Sequence, residues 1–452
     1  MTNYYRILIG LLFLIATHAS HAQEISKRID PLLDTLIHHN KAWGSVALSK
    51  SGETVYARGW GYSNLTSDLK TPNSTTTRYR IGSVTKTFTA AMILQLIEEG
   101  KLSFDTKLSQ YYPELPNAAQ ITIKQLLNHS SGLYNFTNSP NYLDYHTQKK
   151  SKEELLQIFT ATTSEFEPGS KNEYSNTNYV LLGFILEDVT GKTYEENLQS
   201  RVIERAGLTH TQLGSSIQPA KGDAYSYEYN EGSWEKSLET DMSIPGGAGA
   251  IVSTPEDINR FATALFRGQI VSSKSVLEMI TLQRNYGLGI FQIPFGNKIG
   301  YGHTGGIDEF QSMFIFFPED SLAVTCMLNA NQYSLNEIII GVLSLYYNTP
   351  YEIPNFSLEK QLDPSVWKYY EGVYSSKQVP IKITIANNGK QLTAQATGQS
   401  SFPLQATSEV DFKFDAAGIK IQFTLDKDGN AQAFRLLQGG GDFLFEKETS
   451  AE

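Results

Sequence analysis

The sequence predicts an α/β (α+β) protein. An antiparallel sheet is flanked by terminal helices and broken by a helical insertion, and a small C-terminal antiparallel β domain follows. Three observations carry this reading. Strand patterns stand at both ends of residues 24–347, helical text fills the middle, and after Pro354 the apolar period becomes two.

Taken in order, residues 24–41 place Ile25, Ile29, Leu32, Leu33, Leu36 and Ile37 at helical spacing. Gly44–Lys50 and Thr54–Trp60 then read as strands, with Ser51-Gly52 as a hairpin turn. From Gly100 to His210 the chain is mostly helical, with polar loops and Gly/Pro punctuation. Leu288–Pro294, Phe310–Phe317 and Leu322–Leu328 are expected strands, and Leu335–Tyr347 a closing helix. Residues 23–348 form the expected main domain, and 349–360 a linker. In 361–452, Ile381–Ile385 alternates, Asn388-Gly389 signals a type I′ hairpin, and Asp428-Gly429 marks another tight turn. A small barrel or sandwich is expected there.

Residues 1–22 read as an export signal. Arg6 supplies a positive start, Ile7–Ala16 an apolar run, and Ser20-His21-Ala22 a small-residue cleavage site. The run is about half the ~20 residues that a membrane-spanning helix needs. The expectation is a periplasmic or secreted protein cleaved near Ala22, with no stable membrane span.

Of 452 residues, 40% are hydrophobic and 19% charged, an ordinary globular composition. The net charge of −10 and the lack of a dense Lys/Arg tract argue against a nucleic-acid partner. Cys326, the single cysteine, sits in an apolar run and makes no internal disulfide. The histidines form no spaced cluster with Cys or Asp, so neither a metal nor another cofactor is expected.

Ser83-Val-Thr-Lys86 is one of five Ser-x-x-Lys tetrads, with those at Ser67, Ser233, Ser357 and Ser365. Only Ser83 opens a long apolar helix, running from Val84 to Ile97 and ended by Gly100. At the first turn of a helix, backbone N–H groups are unpaired and the dipole favours negative charge. Lys86, at i+3, shares the face of Ser83. A serine hydroxyl becomes a strong nucleophile when a base takes its proton, and a desolvated lysine can serve. An N-cap serine with a lysine reaching solvent would give the same four letters.

Tyr174-Ser-Asn176 lies between a Pro168-Gly169 turn and an apolar helix. A tyrosine beside an ammonium could relay protons for Ser83, and the Asn176 amide could bind a substrate amide. The alternative is a turn with Asn176 as helix cap. His303-Thr-Gly-Gly306 occurs once, before the strand at Phe310. Glycines in a strand mark a bulge or close backbone approach, and the Gly306 N–H with that of Ser83 would make a two-donor oxyanion hole.

In this order the three motifs resemble those of the serine β-lactamase and penicillin-binding protein superfamily, in its class C β-lactamase, DD-peptidase and esterase branch. Ile123-Lys-Gln-Leu-Leu-Asn-His-Ser-Ser-Gly-Leu133 and Gly246-Gly-Ala-Gly249 to Ser253-Thr254 resemble further segments of that group. The resemblance covers residues 24–347. It implies Ser83 as nucleophile, Lys86 and Tyr174 as the proton-transfer pair, and Asn176, His303, Thr304 and Gly306 as substrate-binding positions.

One position departs from the pattern. Class C β-lactamases resemble a version with lysine where this chain has His303, and neutral imidazole offers less fixed charge to a β-lactam carboxylate. The barrel-like C-terminal domain likewise looks like those on exported peptidase-type relatives. The expected activity is hydrolysis of a small peptide, amide or ester through an acyl-enzyme. The rivals are a true β-lactamase and a non-catalytic binder of peptides or cell-wall fragments. Asp308 and Glu309 could meet a cationic substrate group or form a solvated turn.

Overall fold

A computed structural model describes residues 23–448, apart from 67–68, 231, 357–359, 361, 390 and 400. The expected export signal lies outside these residues. Residues 23–38 form helix α1, with Ile25, Ile29, Leu32, Leu33 and Leu36 buried as their spacing requires. Strands β1 (Ala42–Lys50) and β2 (Glu53–Trp60) pair through a two-residue turn. Ser51 and Gly52 both take positive φ, 53° and 89°, the twist that suits an antiparallel hairpin.

Helix α2 (Thr85–Glu98) follows a single 3₁₀ turn, Gly82–Val84, which holds Ser83. The nucleophile candidate therefore sits one tight turn ahead of the α-helix. Every residue of α2 from Thr85 to Leu96 is buried, and its hydroxyls are bonded inward. Thr87 donates to the Gly289 carbonyl at 2.7 Å and Thr89 to that of Gly247 at 2.6 Å. The helical insertion contributes α3 (Asn176–Thr190), whose C-terminal Gly191 takes the left-handed conformation. Helix α4 (Pro255–Phe266) packs on the sheet: Asn259 donates to Ala47 O of β1 and accepts from the Thr325 hydroxyl.

The sheet is completed by β3 (Phe291–Phe295), β4 (Lys298–Ile307), β5 (Phe310–Phe317) and β6 (Leu322–Asn331). Its order is β3-β4-β5-β6-β1-β2, all antiparallel, extended by Tyr227–Asn230 and Ser233–Lys236 beside β6. Strands β1, β5 and β6 are buried on both faces, which is why they read as nearly continuous apolar runs. Strand β3 begins at Phe291, not Leu288 as expected. Gly289 turns there at φ +68°, and a Cβ on it would stand 2.7 Å from Ala90 Cβ and 2.9 Å from Lys86 O.

The chain divides into two compact units: Ala42–Asn331 with the residues up to Asp30, and Pro31–Lys41 with Gln332–Glu452. The second holds α5 (Leu335–Tyr347) and a nine-stranded antiparallel sheet. Its end strands, Phe402–Pro403 and Gln405–Ala406, are separated in sequence by Leu404 alone, so the sheet curls into a near-closed barrel. Tyr374, Ile385, Phe423, Phe434 and Phe445 fill it. The Asn388-Gly389 hairpin differs from expectation. Strand pairing runs to Asn387 and Leu392, and beyond it Asn388 N donates to Gln391 O at 3.2 Å while Asn388 Oδ1 accepts from Gln391 N at 2.9 Å.

Candidate active site

Lys86 is held on three sides. It is fully buried, and its Nζ lies 2.9 Å from Ser83 Oγ, 2.7 Å from Asn176 Oδ1 and 2.8 Å from the Ala248 carbonyl. Burial drives its pKa well below the ordinary lysine value. Three elements therefore meet at one amine: the turn before α2, the first residue of α3, and the short helix Gly246–Gly249. The tetrad is not a cap with a solvent-reaching lysine.

Tyr174 joins this group. Its side chain lies beside that of Ser83, and Lys86 Nζ stands 4.9 Å from its ring centre. Burial raises its pKa above the ordinary phenol value, so the hydroxyl keeps its proton at neutral pH. Asn176 splits its amide, Oδ1 accepting from Lys86 and Nδ2 donating to Thr137 Oγ1 at 3.0 Å.

The glycines of β4 fit against the nucleophile turn. A Cβ on Gly305 would stand 2.0 Å from Ile81 O and 3.0 Å from Ser83 N, while one on Gly82 would meet Gly306 backbone atoms at 2.8–2.9 Å. The backbones of 305–306 and 82–83 are thus in direct contact, with room for neither methyl. Strand β3 pairs with β4 only up to Gly302, so the 303–307 stretch has a free edge there.

His303 and Thr304 lie outside the cavity beside Ser83. His303 is buried, its Nδ1 donating to its neighbour's carbonyl, Thr304 O, at 2.5 Å. Burial first, then Lys86, pushes its pKa down to about 3, so the ring is neutral. Thr304 is exposed.

The cavity has a volume of about 700 Å³ and is lined by Ser83, Asn176, Ala248 and Gly306, with Phe136, Tyr142 and Leu238 as apolar wall. Asp308, Glu309 and Glu228 also line it, and no lysine or arginine among the described residues does. Asp308 is bonded to buried Arg80 at 2.8 Å and to Thr240 at 2.7 Å, so it ties the walls together. Burial and the neighbouring Glu228 and Asp308 raise the Glu309 pKa. Among the described residues, no three His, Cys, Asp or Glu converge as a metal would require, and no helix is long and apolar enough to cross a membrane.

Sequence reasoning missed Ala248 as a lysine partner, Glu228, and His129. His129 stacks on Tyr174 with ring centres 4.4 Å apart. Its segment was matched as text, and nothing in the text marked the histidine as a neighbour of Tyr174.

A buried lysine on a helix-head serine, a tyrosine hydroxyl beside them and glycine backbone opposite define a serine hydrolase. The chain belongs to the β-lactamase family: the family model described as Beta-lactamase matches residues 29–338. It is 26% identical to penicillin-binding protein 4* of Bacillus subtilis (strain 168), across 93% of this chain and 98% of that one. It is 27% identical to a teichoic acid D-alanine hydrolase of Staphylococcus aureus, across 72% and 79%. The crystal structure of D-amino acid amidase from Ochrobactrum anthropi SV3 with D-phenylalanine matches at TM-score 0.64 and 29% identity, covering 72% of this chain and 99% of that one.

Proposed function

We propose that this hydrolase forms an acyl-enzyme on Ser83 and cleaves small amides, esters or short peptides of amino acids that carry a free amino group. The observation that carries the reading is Lys86 Nζ, buried and 2.9 Å from Ser83 Oγ. A lysine whose charged form is disfavoured by burial accepts the serine proton as Oγ bonds to the substrate carbonyl carbon. The oxyanion faces the N–H groups of Ser83 and Gly306. The proton then passes by way of the Tyr174 hydroxyl to the departing nitrogen or oxygen. Water attacks the ester, its proton takes the reverse route, and Ser83 is freed.

The substrate class rests on charge. A β-lactam or a peptide ending in D-alanine presents a carboxylate, and the cavity wall offers it no lysine or arginine among the described residues. His303 is neutral and buried. Glu228 and Glu309 instead suit an ammonium group. The similar amidase holds D-phenylalanine and a similar hydrolase is named for D-alanine, which supports an amino-acid acyl donor, D-configured. The proposal extends to location, a periplasmic or secreted enzyme, on the strength of the segment before Gln23.

Purified protein should turn over D-phenylalanine p-nitroanilide and D-alanine esters faster than their N-acetyl forms or a chromogenic cephalosporin. Preferential cephalosporin turnover would reverse the substrate assignment. Determining the N-terminus of the protein recovered from cells checks cleavage near Ala22.

A further inference from the structure

His129 occupies a conformation that a non-glycine residue seldom takes. It follows the short helix Ile123–Leu127 with φ +58°, and it is 2% exposed. Besides a 3.4 Å contact of its Nδ1 with Asn178 Nδ2, two of its hydrogen bonds reach one segment. The His129 carbonyl accepts from Glu173 N at 2.8 Å, and its ring Nδ1 accepts from Ser175 N at 3.1 Å. Between those two anchors the ring stacks on Tyr174, 4.4 Å between centres and 29° between planes. One residue thus holds the backbone on both sides of Tyr174 and the tyrosine ring itself.

The ring's protonation follows from this geometry. An Nδ1 that accepts an N–H carries no proton, so the proton sits on Nε2, which has no hydrogen-bond partner. A buried unpartnered donor is destabilising. A phenylalanine would stack without that cost but could not accept from Ser175. Tyr179 and Tyr286, at 5.2 and 5.6 Å, close around the same ring and fix its plane.

We propose that His129 is the positioning residue for Tyr174: it fixes the Glu173–Ser175 backbone and the phenol ring so that the hydroxyl meets Ser83. It is not among the described residues that line the cavity, and the inference rests on the reading of Tyr174 as proton relay. The first residue of α3, Asn176, follows directly, so the same clamp sets its approach to Lys86.

The test is a double-mutant cycle on the full chain with an amino-acid p-nitroanilide. His129→Ala should lower kcat by about 10- to 100-fold, part of what a proton-transfer group supplies, with KM within about twofold. His129→Asn tolerates positive φ and keeps an acceptor for Ser175 N, so it should fold with near-native Tm and recover part of kcat. In a Tyr174→Phe background, either substitution should cost less than about twofold more. If the His129 losses are as large in that background, His129 does not act through Tyr174 and the proposal is overturned alone. If Tyr174→Phe itself retains full kcat, the relay reading falls and takes the proposal with it.

Discussion

Lys86 is an amine among three oxygens, none of them a carboxylate. Its desolvation sets two opposite pH effects. Activity needs the neutral amine, so kcat/KM should rise with pH through one ionisation well below the ordinary lysine value of 10.5. Lys86→Arg should remove that limb and lower kcat/KM by about 1,000-fold, measured as a pH profile. Stability runs by the linkage sign. Between the native pKa and 10.5 the unfolded chain binds more protons, so stability rises with pH and the cost of burial is largest below that window. Lys86→Met should therefore unfold at a higher Tm at neutral pH while losing turnover, a trade between stability and function. His303 obeys the same sign lower down. Its pKa falls from 6.5 to about 3, so folding loses stability as pH drops through that interval. In His303→Gln the slope of urea stability against pH should shrink by up to about 1.4 kcal/mol per pH unit.

At the scale of elements, the strand β4 and the turn before α2 are fitted backbone to backbone. Gly305→Ala would force a methyl to within 2.0 Å of Ile81 O, separating the strand from Ser83. A loss of about 100-fold in kcat is expected, as for a missing oxyanion donor, together with a lower Tm. Gly306→Ala is the contrast: the nearest atom to its added Cβ is 4.0 Å away, so its Tm should stay within about a degree of wild type. Much of this was legible in the sequence. The unbroken apolar face after Ser83 marked a buried helix, and the paired glycines marked close approach. The cavity wall was not legible, because it is assembled from residues as distant as Glu228 and Phe136, which no local pattern relates. The position of His303 was equally hidden: a strand motif names the residue but not which side of the sheet, or how deep, its ring will lie. Gly289 was missed for a related reason, since its turn answers to the packing of Ala90 and Lys86 and not to its own neighbours.

For the whole molecule, charge is the property that reaches the site. The chain carries −10 overall, and its cavity is lined by carboxylates without lysine or arginine among the described residues. KM for an amino-bearing substrate should therefore rise with ionic strength, whereas that for its N-acetyl form should not. The second unit gathers more than the barrel. Its Asp415 turn accepts from Ser334 N at 2.6 Å and pairs with Lys41 at 3.6 Å, so both leave that unit short of partners when the barrel is removed. Truncation after Asn348 should lower the Tm by several degrees, read by thermal unfolding. The barrel's alternating strands were plain in the sequence. Its tie to residues 31–41 and 332–348 was not, since those residues read as the terminal helices of the main domain.

The central claim is that Ser83 is acylated because buried Lys86 deprotonates it. Intact-protein mass spectrometry after a fluorophosphonate probe, followed by peptide mapping, tests it directly. One adduct should appear on Ser83, vanish in Ser83→Ala, and form at least about 100-fold more slowly in Lys86→Ala. Labelling that persists in Ser83→Ala, or proceeds at the wild-type rate in Lys86→Ala, would contradict it.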